Sequence, residues 1–376
     1  MGAVALVVAL ASPAAALAPE GRPSTSPSPA TTVPAASPRA WILVDAGTGA
    51  VLDAGNDRQA LPPASLTKLL TALIATSALR PTDTMNVSLR AAGEPASKIN
   101  MKPGQVWTFE DALYSMLLSS ANDAAVAVAE RTAGSLEAFA AAMQVAAAQL
   151  GLQDHPLLQD PTGLDNSFSV NGGNLLSARD IAIVARAVLA QPLLAQVVST
   201  PVYRFVGPDG VQHRLGNHNQ LLKSYPGAIG MKTGYTAKSG EDLIAAARRG
   251  NRTLIAVVLG APSVWRDSGR LLDEGFALPP GTAGTGDRLP PVHLPGVPVL
   301  PATARVAGTT LPVQATVLVL PRHRSLVDEQ GMILVLGLVA AAAAVAVRRR
   351  QVTVRRRRRR RLAQREEIAT QWGSLR

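Results

Sequence analysis

The spacing of apolar residues changes twice along this chain, and that restricts its fold more than any other feature. Near residue 40 the pattern belongs to strands. Ala40-Trp41-Ile42-Leu43-Val44-Asp45 reads as one arm of a hairpin, Gly47-Thr48-Gly49 as its turn and Ala50-Val51-Leu52-Asp53 as the returning arm. The pattern then becomes helical. Pro62-Pro63 introduces a segment from Ser65 to Leu79 that is apolar on most faces, as a buried helix would be. Thr108 with Asp111 makes an N-cap and an acidic first turn for a helix over Phe109–Leu118. Further helices are expected at Asn122–Thr132, at Leu136–Leu150 and over residues 177–190, the last capped by Ser177 with Asp180 as its acid. The two-residue period then returns at Val202–Val206, Ala228–Gly234, Asp242–Arg248 and Thr253–Leu259, with Gly250-Asn251 turning between the last two. A helix near Pro262–Phe276 would close back onto these strands. A hairpin, a helical middle, antiparallel strands and a closing helix predict an α+β domain over residues 39–278.

The flanks are of another kind. Residues 1–18 end in Ala16-Leu17-Ala18 after an apolar stretch, the pattern of a secretory signal. Residues 19–38 are rich in Pro, Ser, Thr and Ala, too poor in apolar groups to offset the entropy of ordering, and read as a linker. Residues 279–330 are Pro-rich and predict a stalk or a reduced β module. Gly331–Val347 is an uncharged apolar run of 17 residues, within reach of the bilayer thickness. An arginine-rich tail, residues 348–376, follows at once. It holds twelve Arg and two Glu, so nearly all of the chain's net charge of +11 lies there. A nucleic-acid protein would carry its basic surface on the folded domain. A basic block after an apolar run instead predicts a single-pass membrane helix with a cytoplasmic tail and everything before it outside. The chain has no cysteine, which excludes disulfides, thiolate nucleophiles and cysteine-based metal sites.

Three short motifs stand in the helical and second strand regions: Ser65-Leu66-Thr67-Lys68, Ser120-Ala121-Asn122 and Lys232-Thr233-Gly234. Ser65 and Lys68 are three residues apart, hence on one helix face. Lys68 can take the Ser65 proton only when neutral, and at pH 7 only about one unperturbed lysine in 2,500 is neutral. Burial against Leu69 and Leu70 would lower its pKa, and a second cation, Lys232, would lower it further. Ser120 and Asn122 fall at the break between two helices, where both side chains can project into a cleft. Ser120 would pass a proton to a leaving amine, and Asn122 would orient the substrate amide or Lys68. At the strand end Lys232 offers a charge and Thr233 a hydroxyl to a terminal carboxylate. Gly234 leaves room for a substrate backbone along the strand edge. Backbone N–H groups of Ser65 and Tyr235 are the candidate oxyanion hole. Each motif alone is commonplace; their order and context together are specific.

With their surroundings these motifs resemble the low-molecular-mass penicillin-binding proteins, the serine-type D-alanyl-D-alanine carboxypeptidases. The similarity covers most of residues 40–276 and is densest at Leu118–Ala125, Asp160-Pro161-Thr162-Gly163-Leu164 and Gly230–Thr236. It implies the penicilloyl-serine transferase fold, an acyl-enzyme on Ser65, Lys68 as base, Ser120 in proton transfer and Lys232 binding the substrate carboxylate. It also implies peptidoglycan stem peptides as substrate, β-lactams as covalent inhibitors and no cofactor. Two neighbouring readings share the motifs: an endopeptidase acting on cross-links, and a silent peptidoglycan-binding module. A class A β-lactamase would need a Glu between the second and third motifs. No Glu occurs from residue 138 to residue 240, which predicts a protein trapped by penicillin rather than one that destroys it. A metallopeptidase would need clustered ligands, and the nearest histidines, His213 and His218, are expected in a loop with no acid between them.

Overall fold

The computed structural model describes residues 37–95, 97–165, 169 and 172–296. The first alternating segment forms β1 (Ala40–Asp45) and β2 (Val51–Gly55). Asp45 closes the turn between them, accepting from the backbone N–H and the hydroxyl of Thr48 at 3.0 and 3.1 Å. The helix expected to run from Ser65 is two pieces, a 3-10 turn at Ala64–Thr67 and then α1 (Lys68–Ala78). Pro62 and Pro63 bring no N–H to an α-helical first turn, and Ala64 sits at φ +44°. The chain therefore enters through a tight turn in which Leu66 N–H bonds Pro63 O at 3.1 Å. Side chains at i and i+3 eclipse in this geometry, which stacks Ser65 over Lys68. Every residue from Lys68 to Ala75 is buried, so α1 runs through the middle of the molecule.

A short ribbon of β3 (Thr84–Asn86) and β4 (Val106–Thr108) brackets α2 (Leu89–Gly93). These pieces are too brief to show a period, and the sequence reading omitted them. There follow α3 (Phe109–Leu118), α4 (Asn122–Ala133), α5 (Leu136–Leu150) and α6 (Ala178–Ala190), close to the expected segments. Thr108 Oγ1 accepts from Asp111 N–H at 3.1 Å and Ser177 Oγ from Asp180 N–H at 2.9 Å, the caps that fix where α3 and α6 start. The rest of the order is α7 (Pro192–Ser199), β5 (Val202–Val206), β6 (Gln212–Gly216), α8 (Leu221–Ser224), β7 (Ala228–Thr236), β8 (Gly240–Arg249), β9 (Arg252–Leu259) and α9 (Val264–Ala277).

Five strands make one antiparallel sheet in the order β2-β1-β9-β8-β7. Strand alternation divides its residues between two layers. Ile42, Val44, Ile244, Ile255 and Val257 join the core of the helical part, while Leu43, Leu243, Leu254 and Val258 pack on Leu271 and Leu272 of α9. The edge strand β7 passes the 3-10 turn so closely that a Cβ on Gly234 would lie 3.2 Å from Ala64 Cβ. The β5–β6 hairpin is held to α3 by rings: Tyr203 stacks on Tyr114 with centroids 3.8 Å apart, and its hydroxyl donates to Asp111 at 3.0 Å.

The Pro-rich segment does not leave the domain at residue 279. Its chain returns along the first hairpin, where Thr285 N–H bonds Val51 O at 2.9 Å, Val51 N–H bonds Asp287 O at 3.0 Å and Leu289 N–H bonds Gly49 O at 2.8 Å. This strap occupies backbone groups that an edge strand would otherwise expose. The signal at 1–18, nearly all of the 19–38 linker, the segment beyond 296, the apolar run and the Arg tail lie outside the described residues. Among the described residues, no single helix is long and apolar enough to cross a membrane.

Arg179 ties strap to helix. Its side chain is 3% exposed and bonds Asp57 at 2.7 Å and Asp287 at 2.9 Å. Arg179→Ala should lower stability by roughly 2–3 kcal/mol, mostly through the Asp57 pair because Asp287 is solvated. An unchanged urea midpoint would contradict this.

Candidate active site

Ser65 and Lys68 meet as the 3-10 turn dictates. Lys68 Nζ lies 2.8 Å from Ser65 Oγ, 2.8 Å from Asn122 Oδ1 and 2.6 Å from the carbonyl oxygen of Thr162. The amide of Asn122 is oriented by its own Nδ2, which donates to Pro95 O at 3.0 Å, so Oδ1 must face the lysine. Asn122 Oδ1 and Thr162 O can only accept, so two of the three directions at Nζ are fixed as N–H. The third points at Ser65. With Lys68 charged it is another N–H; with Lys68 neutral it is a lone pair aimed at the serine hydroxyl.

Burial lowers the Lys68 pKa from 10.5 to about 7, while the carboxylates of Asp160, Glu94 and Asp123 act in the opposite direction. Lys232 is held well below the ordinary lysine range by its own burial and then by Lys68, and because repulsion between two amines is mutual, each disfavours the other's charge. The Lys232 Nζ donates to Thr233 O at 3.0 Å.

The loop that presents Thr162 O is built by side chains. Asp160 Oδ1 accepts from the N–H groups of Thr162 and Gly163, each at 2.8 Å, and from the Thr162 hydroxyl. Asn174 braces it from behind: its Oδ1 accepts from the N–H of Gln159 and of Asp160, and its Nδ2 donates to Asp160 O at 2.7 Å and to Thr67 Oγ1 at 3.1 Å. Thr71 Oγ1 donates to Pro161 O at 2.7 Å. Further along, Thr236 Oγ1 donates to Asp165 at 2.5 Å and joins the loop to the end of β7. Gly163 has φ +83°, and a Cβ there would lie 1.8 Å from Ala64 O, so only glycine lets this loop close on the 3-10 turn.

Ser120 sits at the α3–α4 break at φ +60°, a conformation that turns its side chain out of the helical path. It shares a cleft of about 350 Å³ with Ser65, Asn122, Thr233, Gly234 and Tyr235. Lys68 and Lys232 lie fully buried behind its wall. The structure therefore brings all eight sequence-predicted positions to one place. Because β7 is a sheet edge, alternate N–H groups along it lack a strand partner. The sequence reading missed what positions the lysine: Asn174 and the carbonyl of Thr162. His213 lies on β6 rather than in the loop expected for it and stacks on Phe205 at 4.9 Å. His218 is in a loop, as expected, and lines the cleft, its backbone N–H bonded to Leu118 O at 3.2 Å.

The sequence pattern of the D-alanyl-D-alanine carboxypeptidases, peptidase family S11, matches residues 27–263. D-alanyl-D-alanine carboxypeptidase DacB2 of Mycobacterium tuberculosis is 34% identical over 254 residues, covering 66% of this chain and 85% of that protein. DacF of Bacillus subtilis, also named a D-alanyl-D-alanine carboxypeptidase, is 36% identical over 225 residues, 58% of this chain but only 56% of its own length. A crystal structure of a D-alanyl-D-alanine carboxypeptidase from Mycobacterium tuberculosis superposes with a TM-score of 0.61 at 33% identity, covering 67% of this chain and 97% of that one. The chain belongs to this family of serine peptidases and has the penicilloyl-serine transferase fold.

Gly163→Ala should shift the loop away from the 3-10 turn and withdraw Thr162 O from Lys68. We expect acylation by benzylpenicillin to slow at least about tenfold, because misplacement near 1 Å can cost on the order of 100-fold. Stopped-flow acylation rates equal to the wild type would show that the loop does not set the lysine.

Proposed function

We propose that this protein removes the terminal D-alanine from peptidoglycan pentapeptide stems through a Ser65 acyl-enzyme, and that β-lactams trap it at that residue. The observation that carries the reading is the position of Lys68 Nζ, 2.8 Å from Ser65 Oγ with its other two directions occupied by acceptors, so that the neutral amine turns its lone pair to the serine.

The substrate lies extended along β7 with its terminal carboxylate at Lys232 and Thr233. The carboxylate favours the ammonium form of Lys232 and so offsets the lowering that burial imposes on it. Ser65 Oγ attacks the penultimate carbonyl while its proton passes to Lys68. The developing oxyanion is met by the N–H groups of Ser65 and Tyr235, each worth about 3 kcal/mol in comparable sites. On collapse, Lys68 returns the proton through Ser120 to the leaving amine, and D-alanine departs. Water then attacks the ester with Lys68 again as base, and Ser65 recovers its proton. The same attack opens a β-lactam ring. No Glu stands between the second and third motifs to activate water for the resulting ester, which supports a persistent adduct.

We also infer that the catalytic domain works outside the cytoplasmic membrane, held by the apolar run at 331–347 with the arginine tail inside. The charge asymmetry across that run supports this orientation.

D-Ala release should rise with pH and level off above about 7, because the protonated lysine is inactive and the neutral one is the base. Ser65→Ala should abolish both D-Ala release and the mass adduct with benzylpenicillin. Persistence of release in that variant, or a rate that falls as pH climbs through 7, would refute the mechanism. For the topology, protease added to intact spheroplasts should digest the catalytic domain and spare the arginine tail; digestion of the tail would reverse the assignment.

A further inference from the structure

The β5–β6 hairpin starts beside the cleft and ends in solvent. Strand alternation gives it two faces. Tyr203, Phe205, His213 and Leu215 face inward, where their rings meet Tyr114 of α3 and Trp107 and where Leu215 is buried. On the outer face Arg204 stands directly opposite Arg214 in the register, and both are exposed. Opposed residues of an antiparallel pair have Cβ atoms ~4.5–5.5 Å apart, and like charges there are destabilising. Among the described residues neither guanidinium has a hydrogen bond, ion pair or ring contact. The other outward positions, Val202, Val206, Gln212 and Gly216, carry no acid. The repulsion between the two arginines is therefore offset only by an anion from outside.

Beyond the arginines the hairpin ends in apolar groups. Val206 is 67% and Val211 54% exposed, and Pro208 between them is exposed as well. The acid of the turn, Asp209, folds back: its Oδ1 accepts from Val211 N–H at 3.0 Å and lies 3.3 Å from His213 Nε2 on the inner side. Val206 is two strand steps past Arg204, or ~7 Å. That separation matches a lipid surface, where apolar side chains sit ~5–10 Å into the boundary between headgroups and acyl chains. A soluble polyanion would engage the arginines and leave the valines in water; a bilayer surface engages both.

The layout of the chain puts such a surface within reach. The described residues end at 296 and the apolar run begins at 331, so residues 297–330 join them. A segment of that length spans at most ~120 Å. A domain tethered so closely meets the headgroups repeatedly, and a weak contact then suffices to orient it.

We propose that the outer face and tip of the β5–β6 hairpin dock on an anionic lipid surface, with Arg204 and Arg214 on phosphate oxygens and Val206 and Val211 below them. The inference rests on the membrane-anchored reading and adds a second point of contact to it. β6 leads directly to His218 on the cleft wall, at most six strand steps or ~20 Å from Gln212. Docking therefore holds the cleft wall within about that distance of the headgroups and favours stems that lie nearest the membrane.

Because the chain has no cysteine, Gln212→Cys gives a single labelling site at the tip. Glu274→Cys on α9, which packs on the opposite side of the sheet from the helical part, is the control. The full-length chain carrying an NBD label is reconstituted in phosphatidylcholine vesicles, or in vesicles of which about a third is phosphatidylglycerol, each with a spin-labelled quencher lipid. The label at 212 should be quenched strongly in the anionic vesicles and little in the neutral ones, and the label at 274 in neither. Arg204→Gln combined with Arg214→Gln should lower the docked-to-free ratio roughly 25-fold, about fivefold for each basic side chain at an anionic surface. High salt should act in the same direction. Val206→Ser combined with Val211→Ser should lower the ratio without altering its salt dependence. A benzylpenicillin adduct on Ser65 shows that each variant is folded. If the protein floats with anionic vesicles while the label at 212 stays unquenched, or if quenching survives the double Gln variant, the docking surface is overturned and the anchor stands. A label that ignores vesicles but shifts its emission with inorganic polyphosphate assigns the face to an anionic polymer and overturns the lipid. Failure to float with neutral vesicles overturns the anchor itself.

Discussion

The burial of Lys68 is the constraint on which the rest of the structure depends. Moving its pKa from 10.5 to about 7 corresponds to about 5 kcal/mol of preference lost by the ammonium, a large sum against the 5–15 kcal/mol by which domains are ordinarily stable. The sign follows from proton counting. Between pH about 7 and about 10.4 the unfolded chain holds a proton on this lysine that the folded protein lacks. Stability from this group therefore rises with pH across that window, and below it the full penalty stands. The fold tolerates it by giving the amine three hydrogen-bond partners and three carboxylates at longer range. Without those acids the amine would be drawn lower still and become too weak a base for a serine hydroxyl.

Those partners come from places far apart in the chain, and backbone conformation brings them in. Five non-glycine residues among those described have positive φ. Three are Asn or His, which tolerate it; the others are Ala64 and Ser120, on either side of the cleft. Left-handed alanine or serine costs on the order of 1–2 kcal/mol. At Ala64 the conformation starts the turn that eclipses Ser65 with Lys68. At Ser120 it breaks what would otherwise be one helix from α3 into α4. The surrounding packing over-determines both: Ala64 is wedged between Gly163 and Gly234, and α1, α3 and α4 are buried along nearly their whole length. Local strain and global packing meet at the reacting groups, as expected where a site is pre-organised.

What the sequence disclosed follows from which signals reside in side chains. Long amphipathic or capped segments were legible because period and cap are written residue by residue. Leu136–Leu150 and Val202–Val206 match to the residue, and Ser177 caps α6 as its chemistry demands. The three motifs were legible for the same reason. The carbonyl of Thr162 was not, because a backbone oxygen has no signature; only the resemblance of Asp160–Leu164 pointed to that loop. The 3-10 turn was hidden because Ser-x-x-Lys looks the same in either helix. The strap at 285–289 was hidden because its bonds to Val51 and Gly49 are main-chain contacts between segments more than 200 residues apart.

Two lysines with the same burial do different work because their neighbours differ. Lys68 is ringed by acids and held near neutrality, ready to give or take a proton. Lys232 is buried beside another amine and is pushed well below the usual range. An anion entering the cleft supplies what Lys232 lacks. The ammonium–carboxylate pair that then forms is neutral as a unit, so its field at Lys68 largely cancels. Recognition can thereby act at one lysine without displacing the set point of the other.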